Sequence, residues 1–581
     1  MRLRSAVVAL ALAPFVPFTL AHDKAPQKFN KPAVSIVVDQ LAAWVARERL
    51  PQLPKDGGFA RLLNGGRWIK DCAYPYSMME TAPGHASLYT GRLPSEHGIV
   101  ANQVWRSDMT KKQSASLIAD EGVRLKTESG SLPGPGVSGK KLAEATLASA
   151  LFDGDDEAEV VSISLKDRGA IFAAPWRKGQ PRVRGVGLVW QDETTGALVT
   201  TEPFEFPRWA RGVSLFEWAA DPQVKDLPQV PDDAPGEDIG MGGSFPHPFF
   251  RKPEREDVRR FRATPFGDKL IVDLAINAIE DACRNHNDAS EHCALGHRFL
   301  LALSFSSNDY VGHRFGPDSV EAWAELFALD RELARLLTHL DRTFGFTEYS
   351  VVLSGDHGVG PLPETSRRIP RPAGFELPPL GGPQGERLSD KAVAQGLREA
   401  LAEARLRPDA IVDVSEALIT LGELEPTDRL AVRDLVRTEL LKRAAVDRVV
   451  DLDEDICGKP CPPRDDVISR VCASTLCDPR TRRSVWGDLY IVPKPGSFFS
   501  SDPYKVSHGT PYRYDRTVPL IVKYAAGIDT TPGACVSGDS GQFDSFYASL
   551  WLALTGTESG TIRARPVCAS AKVSATKRRT R

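Results

Sequence analysis

Five apolar, β-rich runs are spaced along the chain, and each lies next to polar residues in the sequence. They are AVSIVVD with Asp39, EVVSISLKDR with Lys166 and Arg168, RFLLALSFSSND with Asp309, YSVVLSGDHG with Asp356 and His357, and TVPLIVKY downstream of His508. Short and nearly continuous hydrophobic runs are typical of central strands that are buried on both faces of a parallel sheet. Helical patterns, such as Val320–Phe344, separate the runs. This alternation predicts the α/β class, with a doubly wound, mostly parallel central sheet and helices on both faces.

The polar residues next to the runs indicate where a site would lie. In open α/β sheets, ligands bind beyond the carboxyl ends of the strands. Polar side chains at the ends of several such strands therefore predict one shared site at that edge of the sheet.

Two stretches depart from the alternation and are predicted to be insertions in one catalytic domain over residues 22–568. Residues from about 103 to 270 contain a single predicted strand, Glu159–Arg168, among long loops rich in Pro, Gly and Trp. Residues from about 385 to 505 show helical and strand patterns in turn, which predicts a small α+β segment. The tail, residues 569–581, is basic and aperiodic and is predicted to be disordered.

The composition is that of a globular protein rather than of a disordered, collagenous or coiled-coil chain. Of the 581 residues, 42% are hydrophobic and 26% are charged, and there are 47 Gly and 44 Pro. The formal net charge of -3 provides no general attraction to nucleic acid or to anionic lipid. We therefore expect no nucleic-acid-binding module.

Residues 1–21 have the pattern of an export signal. Arg2 and Arg4 supply the positive start, an apolar segment follows, and small residues precede a predicted cleavage after Ala21. A membrane anchor is the alternative, but Pro14 and Pro17 interrupt a run that is shorter than the roughly 20 residues of a span. We therefore expect a periplasmic or secreted protein with no membrane segment after cleavage. The sequence does not indicate its oligomeric state.

The nine cysteines fit an exported protein. Cys72 lies in an apolar stretch and is predicted to be a buried free thiol. The others fall in local groups, as in loops held by disulfides, and they are Cys283, Cys293, Cys457, Cys461, Cys472, Cys477, Cys535 and Cys568. Structural zinc is the alternative for the group from Cys457 to Cys477, although its spacings are not the close CxxC pairs of zinc ribbons. The sequence does not determine the pairing.

Three aspartates and three histidines near the strand ends are candidate metal ligands. They are Asp39, Asp309, His313, Asp356, His357 and His508. Each alone has a structural interpretation, such as a helix cap for Asp39. A cluster of that many carboxylates without cations has raised pKa values or destabilises the fold, and bound divalent ions remove the conflict. Six nitrogen and oxygen ligands suffice for two ions of borderline character, which favours two Zn²⁺.

The segment METAPGHASLYTG contains a candidate nucleophile, Thr81. Pro83 favours the first turn of a helix, and the residues after it continue that helix to Gly91. A threonine hydroxyl at such a helix start lies near free backbone N–H groups and the positive end of the dipole. A plain helix cap is the alternative. Beside bound metal ions, the hydroxyl is expected to ionise and to act as a nucleophile.

The ordered set VVDQ, METAPGHASLYTG, HGIVAN, SLKDR, SFSSNDYVGH, SGDHG and VSHGTP resembles the alkaline phosphatase superfamily. Within it, the chain is similar to the bacterial periplasmic alkaline phosphatases that use a threonine nucleophile. The motifs run from Asp39 to His508, so the resemblance covers nearly the whole mature chain. Each motif alone is weak, and their joint order makes the resemblance specific.

The resemblance implies metal ligands in two groups. The ligands of one zinc ion are Asp309, His313 and His508. The ligands of the other are Asp39, Asp356 and His357, with Thr81 as its reactive ligand.

The resemblance also implies three phosphate-binding residues. Asn102 matches the amide that binds a nonbridging phosphoryl oxygen. Lys166 and Arg168 match the cationic pair that grips the transferred group in the monoesterase branch. His85 and His97 lie inside the motifs without an implied metal role, and we interpret them as scaffold.

The chemistry that the resemblance implies is a two-step hydrolysis of phosphate monoesters. One zinc ion lowers the pKa of Thr81 and orients its oxygen for in-line attack, and the other takes the charge on the leaving alkoxide. Asn102, Lys166 and Arg168 hold the equatorial oxygens, which carry most of the charge. Hydrolysis of the phosphothreonine completes the cycle. We therefore expect an exported, zinc-dependent alkaline phosphatase that acts on a broad range of small-molecule monoesters.

Other functions share parts of this pattern. A phosphodiesterase or nucleotide pyrophosphatase of the same superfamily has the same metals and threonine, but would need an apolar or aromatic pocket where Lys166 and Arg168 stand. A sulfatase uses a C/S-x-P-x-R motif, whereas the corresponding run here is TAPGH. Phosphoglycerate mutases and phosphopentomutases are cytosolic, which the export signal contradicts. An inactive, metal-binding relative would have no reason to keep Thr81.

Overall fold

A computed structural model describes most of the chain between Phe29 and Ala569. The described residues are 29–104, 115–213, 230–231, 244–245, 255–284, 292–364, 385–463, 465–500, 506–530, 533–560, 562 and 564–569. The predicted export signal lies outside them, as do parts of both predicted insertions and residues 570–581 of the predicted tail. None of the helices in these ranges is long and apolar enough to cross a bilayer.

Two sheets organise the described chain, one of eleven strands and one of four. In chain order, their strands are β1 (Ala33–Val38), β2 (Arg67–Ala73), β3 (Leu125–Thr127), β4 (Gly130–Ser131), β5 (Glu159–Ser164), β6 (Val186–Gln191), β7 (Leu198–Thr201), β8 (Phe299–Phe305), β9 (Ser350–Ser354), β10 (Ile411–Ser415), β11 (Leu418–Leu421), β12 (Val446–Asp451), β13 (Leu489–Pro493), β14 (Thr517–Lys523) and β15 (Ser540–Gln542). Short strand pairs are Gln103–Val104 with Ala115–Ser116, Ala119–Asp120 with Gly136–Val137, Trp176–Arg177 with Gln180–Pro181, Val230–Pro231 with Ser244–Phe245, and Arg387–Ser389 with Phe498–Ser500.

The α-helices lie mainly between the strands of the large sheet. In chain order, they are α1 (Ala43–Arg49), α2 (Gly58–Gly65), α3 (Thr81–Thr90), α4 (Pro94–His97), α5 (Leu147–Gly154), α6 (Asp167–Ile171), α7 (Arg255–Arg262), α8 (Phe266–Cys283), α9 (Ser307–Phe315), α10 (Val320–Phe344), α11 (Asp390–Glu403), α12 (Pro426–Leu441), α13 (Val467–Ser474), α14 (Arg513–Arg516) and α15 (Asp544–Thr555). Helix α10 has the bounds that the sequence pattern predicts.

The large sheet is mixed, with the strand order β15-β2-β14-β9-β1-β8-β5-β6-β7-β3-β4. The strands from β9 to β6 at its centre pair in parallel. Strand β14 pairs antiparallel with β9, and β7, β3 and β4 extend the other side in antiparallel fashion. The predicted α/β class is confirmed, and the parallel part is the central part.

Helices cover both faces of this sheet because the side chains of each central strand alternate between two cores. In β1, Ala33 and Val37 belong to one core, and Val34, Ile36 and Val38 belong to the other. Residues of α3, α5 and α15 complete the first core, and residues of α1, α8 and α10 complete the second. The buried central strands are thus held from both sides, which fixes the edge where their carboxyl ends meet.

The stretch from about 103 to 270 contains more strands than the sequence predicts. Strands β6 and β7 continue the large sheet beyond β5. The prediction of a single strand in this stretch was therefore wrong. Strand β6, VGLVWQ, contains a glycine, and β7, LVTT, ends in two threonines, so neither has the continuous apolar pattern of the central strands.

The stretch from about 385 to 505 forms the four-stranded antiparallel sheet, in the order β10-β11-β13-β12, with α11 and α12. It has a third hydrophobic core that is largely its own. Strand β11 was not predicted. It forms a hairpin with β10, and the turn residues Glu416 and Ala417 have φ of 48° and 75°, as a tight hairpin turn requires.

Eight cysteines form four disulfides, each within one of the local groups of the sequence or between neighbouring segments near the end of the chain. The disulfides are Cys283–Cys293, Cys457–Cys477, Cys461–Cys472 and Cys535–Cys568. Cys72 is a buried free thiol. These findings confirm the disulfide prediction, and disulfide-bonded sulfurs are not available as zinc ligands in the group from Cys457 to Cys477.

Candidate active site

The predicted site residues meet at the carboxyl edge of the parallel strands. Asp39 follows β1, Lys166 follows β5, and Asp356 follows β9, while Asp309 lies in the first turn of α9, just after β8. Because these strands are parallel and adjacent in the sheet, their ends lie side by side. His508 precedes β14, which runs antiparallel to β9, so the loop that carries it reaches the same edge.

Thr81 is the first residue of α3. This helix approaches the end of β9 closely, because Gly84 lies against the backbone of Asp356 at a distance that leaves no room for a Cβ atom. Gly91, with φ of 64°, ends the helix in the left-handed conformation that glycine tolerates best. The Thr81 Oγ1 atom accepts a hydrogen bond of 3.2 Å from the Lys166 ammonium.

The Lys166 ammonium joins three of the predicted residues. It donates to Asp39 Oδ2 at 2.6 Å and to Asp309 Oδ2 at 2.5 Å, and its residue is 4% exposed. Burial opposes its charge, but the Asp309 and Asp39 carboxylates raise the pKa of Lys166, so the side chain is charged. Burial and the charges of Asp309 and Asp356 raise the pKa of Asp39. A single ammonium therefore faces more carboxylate charge than it neutralises.

Three histidines point their Nε2 atoms toward these carboxylates and are held in place through their Nδ1 atoms. The Nδ1 atoms of His313, His357 and His508 lie 2.7, 3.0 and 2.5 Å from backbone carbonyl oxygens. A carbonyl only accepts hydrogen bonds, so each Nδ1 carries the proton that it donates. In the neutral rings, each Nε2 is left with a lone pair. Metal-ligating histidines are typically oriented in this way.

Two overlapping groups of described residues place their ligand atoms within 4.8 Å of one another. One group is Asp309, His313 and His508, and the other is Asp39, Asp309 and His357. His313 Nε2 lies 3.2 Å from Asp309 Oδ1 and 3.3 Å from His508 Nε2. Burial opposes charge on His313, but the Asp309 carboxylate raises its pKa, so without a metal ion a proton relieves the repulsion between the two Nε2 lone pairs. A bound cation can take the place of that proton. The first donor set therefore fits a divalent cation.

The second group contains unsatisfied buried atoms. Asp39 Oδ1 and His357 Nε2 lie 3.3 Å apart, and neither has a hydrogen-bond partner among the described residues. Asp356 Oδ2 lies 3.7 Å from His357 Nε2 and 3.1 Å from His85 Nδ1. Asp356 Oδ1 accepts hydrogen bonds from the backbone N–H groups of Gln40 and His357. A buried carboxylate oxygen and an imidazole nitrogen at this distance can share either a proton or a bound cation, so this group also fits a cation.

The neighbouring rings of His357 and His508, with centroids 3.8 Å apart, have opposite pKa shifts. Burial lowers the pKa of His508 well below its usual value, and the charges of His357 and His313 lower it further. Burial also disfavours charge on His357, but the carboxylates of Asp356 and Asp39 raise its pKa to about 9. Without metal ions, a His357 imidazolium thus compensates part of the carboxylate charge, and His508 stays neutral.

A cavity of about 320 Å³ lies next to Thr81, and Asn102, Lys166 and Arg168 are among the residues that line it. The Asn102 Oδ1 atom accepts a hydrogen bond of 2.9 Å from the backbone N–H of Ala82, so the amide NH₂ is the part of this side chain that can donate to a ligand. The Arg168 Nε atom is buried and donates to no acceptor in the described part of the chain. Arg168 also donates through Nη1 to Asp167 Oδ1 at 3.1 Å, and as a lining residue it adds positive charge beside the cavity.

Among the residues at the site that were not predicted are Gln40, Glu80 and Glu416. Gln40 Nε2 donates to Asp309 Oδ1 at 2.7 Å, and Glu80 Oε2 accepts from the backbone N–H of Asn102 at 2.6 Å. Gln40 directly follows Asp39 and Glu80 directly precedes Thr81, so adjacency to a predicted residue could have indicated both. Glu416, in the β10–β11 turn, lines the cavity beside Glu80 and has no local sequence signal, because a distant insertion supplies it.

The two histidines interpreted as scaffold have different surroundings. His85 contacts Asp356 and, through Nε2, lies 3.0 Å from Ser304 Oγ, so it supports a predicted ligand directly. His97 lies 3.0 Å from Ser87 Oγ, and burial lowers its pKa to about 3. His97 is therefore a neutral core residue.

The chain is similar to one protein family and to several phosphatases. A family model described as type I phosphodiesterase/nucleotide pyrophosphatase matches residues 33–512. The alkaline phosphatase PafA of Elizabethkingia meningoseptica is 28% identical over 516 residues, which cover 84% of this chain and 86% of that protein. The alkaline phosphatase PhoV of Synechococcus elongatus is 30% identical over 357 residues, covering 58% and 61%. The crystal structure of wild-type PafA has the same fold, with a TM-score of 0.71 at 24% identity, over 94% of this chain and 99% of that chain.

Proposed function

The chain belongs to the type I phosphodiesterase/nucleotide pyrophosphatase family. From its similarity to alkaline phosphatases and from the residues at its site, we propose that it is an exported, zinc-dependent alkaline phosphatase of broad monoester range. Its relatives named alkaline phosphatase, three of which it matches over more than four fifths of its length, indicate a phosphoric monoester hydrolase. The proposal adds the two zinc ions, a phosphothreonine intermediate on Thr81, and export.

The position of the Thr81 hydroxyl carries the proposal. It lies at the start of α3 and within hydrogen-bond distance of the Lys166 ammonium, which also contacts Asp39 and Asp309. The hydroxyl is thus adjacent to candidate metal ligands and to the cavity at the same time. The start of a helix also favours negative charge on that oxygen and on a phosphoryl group bound to it.

The residues that would hold the two zinc ions are Asp309, His313 and His508 for one, and Asp39, Asp356 and His357 for the other. The inward Nε2 lone pairs and the unpartnered Asp39 oxygen support this assignment. When bound, the ions supply Lewis acidity to the Thr81 oxygen and to the leaving oxygen. In that state the Lys166 ammonium no longer has to neutralise Asp39 and Asp309, and it is available to a phosphoryl oxygen.

The reaction has two displacement steps. The Thr81 oxygen forms a bond to phosphorus, and the bond between phosphorus and the ester oxygen breaks, so the alcohol departs with the electron pair and gains a proton. Water then attacks the phosphothreonine, which releases phosphate and restores the Thr81 hydroxyl. In both steps the Asn102 amide, Lys166 and Arg168 stabilise the charge on the nonbridging oxygens.

A phosphodiesterase is the second candidate, which the description of the family favours. A diester carries one charged oxygen fewer than a dianionic monoester and has a second organic group instead. Lys166 and Arg168 both line the cavity. Two cations there favour the additional charged oxygen of a monoester over a second ester group.

Export is proposed from the signal pattern of residues 1–21. The disulfides support it, because disulfides persist in oxidising compartments outside the cytosol.

The test compares kcat/KM for 4-nitrophenyl phosphate and bis(4-nitrophenyl) phosphate on the zinc-loaded full chain. We expect a large monoester preference in the wild type. Arg168→Ala should lower monoester kcat/KM by about 10²-fold, because it removes a donor to the charged oxygens, and should leave diester kcat/KM nearly unchanged.

Arg182→Ala, which removes a surface arginine paired with Asp156, is the matched control and should behave as the wild type. A diester preference in the wild type would contradict the monoesterase proposal and favour a phosphodiesterase. Equal losses on both substrates in Arg168→Ala would contradict the role of this arginine in monoester selectivity.

A further inference from the structure

Tyr310 directly follows the candidate ligand Asp309 in α9 and lines the same cavity as Lys166 and Arg168. The centroid of its ring lies 5.0 Å from the Lys166 ammonium nitrogen. Cations at such distances from an aromatic face are attracted by the ring quadrupole. The aromatic ring of Tyr310 is thus a neighbour of the ammonium that the proposed phosphoryl clamp uses.

The other end of Tyr310 is held by a buried arginine. Arg262 is 3% exposed, donates to the Tyr310 hydroxyl at 3.1 Å, and places its guanidinium carbon 5.6 Å from the ring centroid. Arg262 itself donates to Gln191 twice, to the side-chain oxygen at 2.9 Å and to the backbone oxygen at 2.5 Å. Gln191 is the last residue of β6, the parallel neighbour of β5, and β5 leads directly to Lys166.

These contacts form one chain of side chains, from the sheet through Gln191 and Arg262 to Tyr310 and then to Lys166. Lysine has a long, flexible side chain, so the position of its ammonium depends on the groups around it. On one side, the carboxylates of Asp39 and Asp309 hold the ammonium. When these carboxylates bind metal ions, the Tyr310 ring remains a neighbour of the ammonium, together with the Thr81 hydroxyl.

We propose that Tyr310, fixed by Arg262, is a positioning residue that holds the Lys166 ammonium for the phosphoryl group and thereby contributes to the selectivity for monoesters. This inference rests on the proposed function, because it needs Lys166 to bind a monoester oxygen. It assigns Tyr310 no contact with the reacting atoms.

The test measures kcat/KM for 4-nitrophenyl phosphate and bis(4-nitrophenyl) phosphate, together with bound zinc, in the full chain carrying Tyr310→Leu or Tyr310→Phe. Tyr310→Leu removes both the ring and the hydroxyl. We expect monoester kcat/KM to fall about tenfold, with diester kcat/KM within about twofold of the wild type and zinc content unchanged. Tyr310→Phe keeps the ring and loses only the bond to Arg262, so we expect a fall of about threefold on the monoester alone.

A double-mutant cycle separates action through Lys166 from general damage. In a Lys166→Ala background, Tyr310→Leu should produce no further loss of selectivity, because the ammonium that it positions is gone. An undiminished loss in that background would overturn the proposal. Equal losses on both substrates, or a loss of zinc, would also overturn it, because they indicate a structural role next to Asp309.

Failure of this inference is distinguishable from failure of the proposed function. If Lys166→Ala lowers the ratio of monoester to diester kcat/KM and Tyr310→Leu does not, only the positioning role of Tyr310 is refuted. If the wild type has no monoester preference, or if Lys166→Ala leaves the ratio unchanged, the proposed clamp itself is refuted.

Discussion

Two groups of buried carboxyl groups in the described chain have different surroundings. At the sheet edge, Asp39, Asp309 and Asp356 lie within 4 Å of histidines. In the helical layer, Asp268 of α8 interacts with Glu325 of α10. All five residues are at most 2% exposed. Burial of carboxylates is therefore common to both groups, and it does not by itself distinguish a metal site.

The two groups differ in the partners of their oxygens. The sheet-edge carboxylates face inward imidazole nitrogens and the Lys166 ammonium, and Asp309 also lines the cavity. The Asp268 carboxyl group interacts instead with Glu325 and with the hydroxyl and backbone N–H of Ser307. Burial and the charge of Asp268 raise the pKa of Glu325 well above its usual value, and burial raises the pKa of Asp268 to about 6.

Imidazole nitrogens that converge on the carboxylates, next to a cavity, therefore distinguish the candidate metal centre from the pair in the helical layer. The pair in the helical layer has a simpler resolution, since one carboxyl group can keep its proton and donate it to the other. We therefore expect a bound cation at the sheet edge and a shared proton in the helical layer.

The largest expected effect comes from removing a ligand at the sheet edge. His508→Ala should lower both bound zinc and monoester kcat/KM, the latter by at least about 10²-fold, because it deletes an inward Nε2 donor. Zinc is measured by elemental analysis of the purified full chain after gel filtration, and kcat/KM with 4-nitrophenyl phosphate.

Glu325→Gln is the matched control, since it changes a buried carboxyl group that has no imidazole partner among the described residues. It should keep the wild-type zinc content and activity. Unchanged zinc in His508→Ala, or zinc loss in Glu325→Gln, would contradict the assignment of the metal site to the sheet edge rather than to the helical layer.

A smaller effect is expected on stability in the helical layer. The pKa of Glu325 is raised by folding, so the stability of this pair is fully present at acid pH and is lost as the pH rises through the folded pKa. Glutamine does not titrate and can donate an N–H to Asp268. Glu325→Gln should therefore match the wild type near pH 4 and exceed its free energy of unfolding by about 1 kcal/mol at pH 8. Urea unfolding at both pH values measures the difference.

The isosteric variant Asp268→Asn tests the other carboxyl group of the pair. Its free energy of unfolding should also exceed that of the wild type at pH 8. A wild type that is more stable than Glu325→Gln at pH 8 would contradict the shared proton and favour a cation at this pair.

The sequence was most informative where local pattern and position in the fold coincide. The run before Asp39 is a buried central strand, and its continuous apolar character is enough to predict the strand and the polar residue at its end. Asp309 and His313 are four residues apart on α9, so their proximity follows from helix periodicity alone. Thr81 begins α3 as the helix-start signals predict.

The residues that sequence reasoning missed depend on contacts between distant segments. Arg262 reaches Tyr310 from a different helix, and Glu416 reaches the cavity from the inserted hairpin. Strand β11, which builds that hairpin, is only four residues long, and its pairing with β13 is formed across about 70 residues of sequence. Such contacts are set by tertiary packing, which neither periodicity nor motif spacing encodes.

The most direct test of the account is to trap the covalent intermediate. The zinc-loaded full chain is mixed with 4-nitrophenyl phosphate, quenched in acid within the first turnover, digested, and mapped by mass spectrometry. The account predicts one added phosphoryl group on the peptide that carries Thr81, and neither label nor turnover above background in Thr81→Ala. A phosphoryl group on another residue, or a Thr81→Ala variant that turns over like the wild type, would contradict it.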